Sequence, residues 1–368
     1  MNTEYMKRAI ELAKRGAGAV NPNPLVGAVI VKDGKIIGEG YHRKYGELHA
    51  ERDAFAHLTE DAKDAEMYVT LEPCCHFGKQ PPCVDAIIEH GIKKVYVGSD
   101  DPNTLVSGKG YARLTDAGIE VETHIMKEEC DRLNRVFFHY IVNKTPYVVM
   151  KYAMTMDGKI ATYTGKSKWI TNEKSRESVM RKRNELTGIM VGIETVIMDD
   201  PLLTCRMNGG RNPVRIICDS HLRIPLDSRI VQTAKDVKTI VATTACPNDD
   251  ALEYNKKKNE LIKSGIEIVE TESADGHVNL PQLMKILGSM QIDGILLEGG
   301  GTLNYSALNA GIVNQVDMYI APKIFGGSGK YTPVLGIGVP VPDSAYMFKL
   351  DKTERFDDDI MFSYIKEL

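Results

Sequence analysis

The stretch that most constrains this chain is residues 47–83, ELHAERDAFAHLTEDAKDAEMYVTLEPCCHFGKQPPC. His49-Ala50-Glu51 sets an imidazole two residues before a carboxylate, and Pro73-Cys74 and Pro82-Cys83 each set a thiol behind a proline. One His and two Cys with a Glu left unligated are the donor set of a zinc centre that keeps a position open for water. A strand is predicted over residues 67–71, leading into Cys74. His49 and Cys83 each stand where a helix is expected to begin. The positive end of a helix dipole lowers the pKa of a thiol placed there, which favours metal ligation.

Zinc with three protein ligands brings the pKa of a bound water to about 7. Glu51 is too close to His49 in sequence to need to be a ligand. It is placed to take the proton from such a water and pass it to a leaving amine, work worth roughly 10²–10⁴-fold. The alternative is a structural zinc knot, which wants a fourth ligand; Cys75 or His76 would supply it. Because Cys74 and Cys75 are adjacent, the ligand pattern alone leaves open which sulfur takes part.

The remaining composition narrows the class. Of seven cysteines, three crowd into residues 74–83 and Cys130, Cys205, Cys218 and Cys246 are scattered. That suits a reducing cytoplasm with one metal site better than a disulfide framework. Net charge is −4 and neither half is basic, so a nucleic-acid-binding domain is not indicated. No apolar run approaches the ~20 residues of a membrane span. The opening MNTEYMKRAIELAKRG reads as an amphipathic helix rather than a signal peptide. Length gives a soft expectation of about two to three domains.

Along the first half, a helix over 3–15 stops at Asn21-Pro22-Asn23-Pro24. Strands over 25–31 and 36–41 join at Lys32-Asp33-Gly34-Lys35 as a hairpin. Helix 84–90, strand 94–98, helix 111–117, strand 119–124 and a helical stretch 126–143 follow. This alternation implies an α/β layer fold with parallel pairings. The likeliest boundary is Asn143-Lys144-Thr145-Pro146, which gives domains 1–144 and 145–368.

HAE, EPCCHFGKQPPC and NPNPLVGAVIV together resemble the deaminase half of the bifunctional riboflavin-biosynthesis deaminase–reductases. Eight residues separate Cys74 from Cys83, where nucleoside and transfer-RNA deaminases have PCxxC. Cys75 stands where the family commonly has Ser. The resemblance implies a cytidine-deaminase-like three-layer domain, with His49, Cys74 and Cys83 on zinc and Glu51 catalytic. It also implies that Asn23, His42 and Lys79 line a pyrimidine pocket. Read without the family, these three are a loop-shaping Asn, a turn cap and a solvated lysine.

The second half reads as strand 147–153, a capped basic helix to about Glu185, strand 188–193 and a polar loop 195–206, TVIMDDPLLTCR. Further strands are expected at 214–218, 238–243, 266–269, 294–297, 316–321, 346–350 and 359–365, with helices at 249–263, 280–287 and 303–310. Gly299-Gly300-Gly301-Thr302 lies between a strand and a helix, where bare N–H groups and the helix dipole suit a phosphate. Three glycines also make an ordinary tight turn, and this is not the GxGxxG fingerprint.

VMKYAMTMDGKIAT, GKSKWIT, VGIETVIMDDPLLTCR and LLEGGGTLN resemble the reductase half of the same family, so the likeness spans nearly the whole chain in the family's order. It implies a dihydrofolate-reductase-like fold using NADPH, although no isolated basic signature for the 2′-phosphate is visible. Ala153, Trp169, Thr195, Asp199, Gly299, Gly300, Gly301 and Thr302 would contact NADPH. Ser167, Arg183, Leu203, Arg206 and Glu298 would contact the substrate, the arginines as bidentate phosphate ligands. For Arg183, on a basic helix, a plain surface charge competes with that role. Lys151 would assist proton delivery. The family reading is a cytoplasmic homo-oligomer acting on a phosphorylated pyrimidine, with no nucleic acid and no membrane. Two other readings remain: a nucleoside or transfer-RNA base deaminase with an accessory domain, and a non-catalytic zinc scaffold.

Overall fold

The hairpin at Lys32-Asp33-Gly34-Lys35 decides how the first sheet starts. In the computed structural model, which describes residues 3–77, 80–245 and 251–367, Asp33 and Gly34 both have positive φ, 49° and 76°. That turn returns the chain antiparallel to itself. The expected pocket residue Lys79 and the cysteine Cys246 lie outside the described residues. Two compact units divide the chain, residues 1–144 and 145–368, and no helix among the described residues is long and apolar enough to cross a membrane.

The first unit runs α1 (Thr3–Lys14), β1 (Gly27–Lys32), β2 (Lys35–Tyr41), α2 (Ala50–Ala56), β3 (Glu66–Leu71), α3 (Cys83–Glu89), β4 (Lys94–Ser99), α4 (Lys109–Asp116), β5 (Glu120–Glu122), α5 (Lys127–Leu133) and α6 (Arg135–Asn143). Its sheet has the order β2-β1-β3-β4-β5. Strand β1 is antiparallel to both neighbours, whereas β3, β4 and β5 are parallel. The expectation of parallel pairings therefore holds only beyond β3, because a tight hairpin cannot join parallel strands. The stretch expected as one helix over 126–143 is broken at Asn134.

Alternation along β1 builds three layers. Ala28 and Ile30 pack with residues of α2, α3 and α4 on one face. Val29 and Val31 pack with Met6, Ala9 and Ile10 of α1 and Cys130 of α5 on the other. A strand buried on both faces reads as a continuous apolar run, which is what GAVIV is.

The second unit runs β6 (Tyr147–Thr155), α7 (Glu173–Glu185), β7 (Gly188–Gly192), α8 (Ile193–Asp199), β8 (Val214–Cys218), α9 (Arg229–Gln232), β9 (Thr239–Thr244), α10 (Ala251–Lys263), β10 (Ile266–Thr271), β11 (Ser273–Ala274), β12 (His277–Val278), α11 (Leu280–Ser289), β13 (Gly294–Leu297), α12 (Gly301–Asn309), β14 (Val313–Ala321), β15 (Lys349–Phe356) and β16 (Asp359–Ile365). Its large sheet has the order β10-β9-β8-β7-β13-β6-β14-β16-β15. All pairings from β10 to β14 are parallel, and β16 joins antiparallel. Met190, Ile216 and Leu297 face α11 and α12. Ile189, Val191 and Ile217 face α8, α9 and α10.

One expectation fails here. Residues 195–206 were expected as a polar loop, but Ile193–Asp199 is helical and buries Ile193 and Val196. The helix offers the core only that i, i+3 pair and leaves Ile197 and Met198 exposed, so its period is too short to read. The result places Thr195 and Asp199 on a helix that follows the carboxyl end of a parallel strand, where ligands of open α/β sheets gather.

Gly40 fixes where α2 sits. A Cβ at Gly40 would lie 2.2 Å from the Ala54 nitrogen and 2.4 Å from the Ala50 oxygen. Gly40→Ala must push the His49–Glu51 helix outward, at a cost of about 1–3 kcal/mol. We expect a lower Tm in thermal denaturation and less metal bound by elemental analysis; unchanged values in both would show that α2 tolerates the shift.

Candidate active sites

Three backbone elements deliver the metal donors. His49 is the N-cap of α2 with an extended backbone. Cys74 follows β3, and Cys83 is the first residue of α3. The ligand atoms of His49, Cys74 and Cys83 lie within 4.8 Å of one another, the one such group among the described residues. His49 Nδ1 is 3.5 Å from Cys74 Sγ and 3.4 Å from Cys83 Sγ. A tetrahedral ion with Zn–N near 2.1 Å and Zn–S near 2.3 Å needs N···S edges of about 3.6 Å, so these donors fit zinc. The Cys75 sulfur instead lies 3.7 Å from the Leu105 carbonyl oxygen, outside the group.

The donors' electrostatics agree with a cation site. The Cys74 thiol is brought down to about 4, chiefly by the Cys83 thiol and, against burial, by His49. Cys83 is pushed up by that same contact and by burial. Metal ligation needs both sulfurs as thiolates, so an ion bound here would displace their protons. Glu51, 3% exposed, has its carboxyl pushed up by burial and then by the Cys74 charge.

These groups open on a cavity of about 290 Å³. Asn23 and His42, both expected there, line it. Burial pushes the His42 pKa down, so the ring is neutral near pH 7. Its Nδ1 lies 2.9 Å from the Leu48 carbonyl, to which it donates. That leaves Nε2 to accept from the Asn23 amide at 3.2 Å. Sequence reading missed Asp101, Asn103 and the α6 residues Phe137, Tyr140 and Ile141, which also line the cavity. Burial pushes the Asp101 carboxyl up to about 6. The available signal was Asp100-Asp101-Pro102-Asn103 directly after a strand. Glu72 ties this loop to the Cys74 turn, accepting from the N–H groups of Gly108 at 3.1 Å and Gly110 at 3.0 Å.

In the second unit the structure brings Arg183 and Glu298 together as a bidentate pair at 2.8 and 2.9 Å. Arg183 also donates to the Thr204 carbonyl at 3.1 Å. It is therefore not a solvated charge, and these bonds occupy three of its five N–H groups. Arg206 is exposed. The Leu203 side chain is buried in the core and its φ is +53°, so only its backbone is left to meet a ligand. Arg215, fully buried, donates to the carbonyls of Leu202, Ile230, Thr233 and Val237 and holds that loop. Lys151 on β6 is half-buried near the Glu298 charge, and desolvation pushes its pKa down.

The expected cofactor residues, and the expected substrate residue Ser167, divide. Ala153 is on β6 and Ser167 in the irregular segment after it. Trp169 is 59% exposed, not core, with the Arg176 guanidinium 4.7 Å above its ring. Gly300 caps α12 and has only Thr195 Oγ1, at 4.0 Å, near the place of a Cβ. At Gly299 a Cβ would meet Leu303 at 3.1 Å, and at Gly301 it would meet Leu335 Cγ at 2.6 Å and the Thr332 oxygen at 2.8 Å. Thr302 is exposed on the first turn of the helix.

The Glu298 pair sets an acid limit. Burial pushes this carboxyl up, but Arg183 and Lys151 outweigh it and hold it at about 2, against an ordinary 4.5. A depressed carboxylate pKa contributes stability that is full above the unfolded value and lost as pH falls through the folded one. Arg183→Met should therefore move the acid unfolding midpoint of the protein to higher pH, followed by circular dichroism. An unmoved midpoint would mean that the pair adds no stability.

Residues 1–99 match the family described as the cytidine and deoxycytidylate deaminase zinc-binding region, and residues 146–362 match the RibD C-terminal domain. The chain is 52% identical to riboflavin biosynthesis protein RibD of Actinobacillus pleuropneumoniae over 98% of its own length and 94% of the relative's. It is 40% identical to the protein of that name from Escherichia coli K12, over 89% of each chain. Among solved structures, Acinetobacter baumannii RibD aligns with a TM-score of 0.86 at 35% identity, covering 100% and 99% of the two chains. A Thermotoga maritima diaminohydroxyphosphoribosylaminopyrimidine deaminase/5-amino-6-(5-phosphoribosylamino)uracil reductase aligns at 0.84 with 38% identity, covering 99% and 98%. With both halves matched in order over almost the full length, the chain belongs to the RibD family of riboflavin biosynthesis proteins.

Proposed function

We propose that residues 1–144 carry a zinc-dependent deaminase and residues 145–368 an NADPH-dependent reductase, two consecutive steps of riboflavin biosynthesis in one enzyme. The observation that carries this reading is the His49–Cys74–Cys83 triangle with Glu51 buried beside a polar cavity. The first substrate is 2,5-diamino-6-ribosylamino-4(3H)-pyrimidinone 5′-phosphate. Zinc in this donor set supplies a Lewis acid that makes water a nucleophile near neutral pH. Glu51 takes a proton from the attacking water and delivers it to the departing 2-amino nitrogen, so that water enters and ammonia leaves. Neutral His42, Asn23 and Lys79 hold the pyrimidine.

In the reductase, NADPH supplies the hydride that converts the ribosyl C1′ to the ribityl carbon. Ala153, Trp169, Thr195, Asp199 and the turn Gly299–Thr302 hold the cofactor. Ser167, Glu298, Arg206 and the Leu203 backbone hold the substrate. Arg183 contacts the substrate through its remaining N–H groups while it orients the Glu298 carboxylate, and Lys151 assists proton delivery. The scattered cysteines support a cytoplasmic enzyme, and the net charge of −4 supports action on small molecules without nucleic acid; a homo-oligomer rests on the family reading alone. A nucleoside or transfer-RNA base deaminase is not favoured, because the relatives match both halves of this chain.

Two variants separate the halves. Glu51→Gln should retain zinc and lose ammonia release by about 10²–10⁴-fold, while NADPH oxidation on the deaminated substrate continues. Retained ammonia release would remove Glu51 from the proton path. Arg206→Ala should raise the reductase KM by about tenfold, the loss of one charge-assisted contact, and leave deamination unchanged. An unaltered KM would remove Arg206 from the phosphate site.

A further inference from the structure

The deaminase cavity has walls from distant parts of the sequence: residues 22–26 on one side and Phe137, Tyr140 and Ile141 of α6 on another. The Asn134 side chain joins them. Asn134 sits at the break between α5 and α6, with φ −114° and ψ 19°, and is 2% exposed. Its Oδ1 accepts from the Leu25 N–H at 2.8 Å, and its Nδ2 donates to the Leu25 carbonyl at 2.9 Å. A carboxamide carries one donor and one acceptor edge, as a peptide does. Here it closes a two-bond ring with the N–H and C=O of one residue 109 positions away in sequence. Aspartate at this position lacks the donor, and glutamine is one methylene too long.

The residues flanking this peg carry the pocket. Two positions before Leu25, Asn23 donates to His42, and the Asn23 N–H is bonded to the Val20 carbonyl. Three positions after Asn134, in the first turn of α6, Phe137 begins the apolar wall. We propose that Asn134 is a positioning residue for the pyrimidine: it sets the Asn23–His42 pair against the α6 wall without touching the substrate. This rests on the reading that Asn23 and His42 hold the pyrimidine.

The test is a double-mutant cycle on the full-length, zinc-loaded enzyme, with Asn134→Ala, Asn23→Ala and both together. Ammonia release gives KM and kcat, and NADPH oxidation on the deaminated substrate serves as the control. Asn134→Ala is expected to raise the deamination KM by about tenfold, the scale of two lost hydrogen bonds. Zinc content, kcat and reductase activity should stay near wild type. In the Asn23→Ala background, the same substitution should raise KM far less. Asn134→Asp, which keeps the size and one bond, should give a smaller rise in the same direction and covers the case in which Asn134→Ala does not fold. A lower Tm with unchanged KM in the variants that fold would reduce Asn134 to a structural peg and overturn the proposal, as would fully additive effects in the cycle. An unchanged KM in Asn23→Ala would overturn the pocket reading itself, and this proposal with it.

Discussion

Three soft donors must meet within 4.8 Å, and the first unit is arranged so that they do. His49 comes from a helix cap, Cys74 from the end of a central strand and Cys83 from the start of another helix. None of these elements can slide without the others. The glycine at position 40 lets α2 lie against the hairpin. Glu72, next to Pro73-Cys74 in sequence, grips the loop that carries Asp101 and Asn103. Metal geometry and substrate geometry are thus transmitted through the same few backbone contacts.

In both units the loops beside the candidate sites are held by polar side chains with little exposure as well as by apolar packing. Asn134 holds the Leu25 backbone, and Arg215 gathers four carbonyls while remaining a cation, its pKa brought down by burial only to about 10. Arg183 holds Glu298 and Thr204 at once. Loops need such partners because their backbone groups lack the internal pairing of helices and strands.

Much of this was legible in the residues. The His and two-Cys donor set, the capped basic helix ending near Glu185, the strands of the central sheets and the glycine turn before α12 follow from spacing, periodicity and capping, whereas the choice of Cys74 over Cys75 came from the family resemblance. The antiparallel hairpin was legible too, but its consequence for strand direction was not drawn. Short α8 escaped because one i, i+3 pair of buried residues carries no measurable period. Arg183 looked like a member of a basic helix face, since nothing local announces a carboxylate 115 residues away. Asp101 and the α6 wall escaped for the same reason: a pocket assembled from long-range contacts leaves no spacing to count.

The run Gly299-Gly300-Gly301 looks uniform, yet its members have unequal freedom. At Gly301 a Cβ would collide with Leu335 and Thr332, at Gly299 it would press on Leu303, and at Gly300 it would find open space beside Thr195. A repeated letter therefore conceals three different steric environments. A side chain at either outer position must displace packing within the unit, and only the middle position leaves room for one.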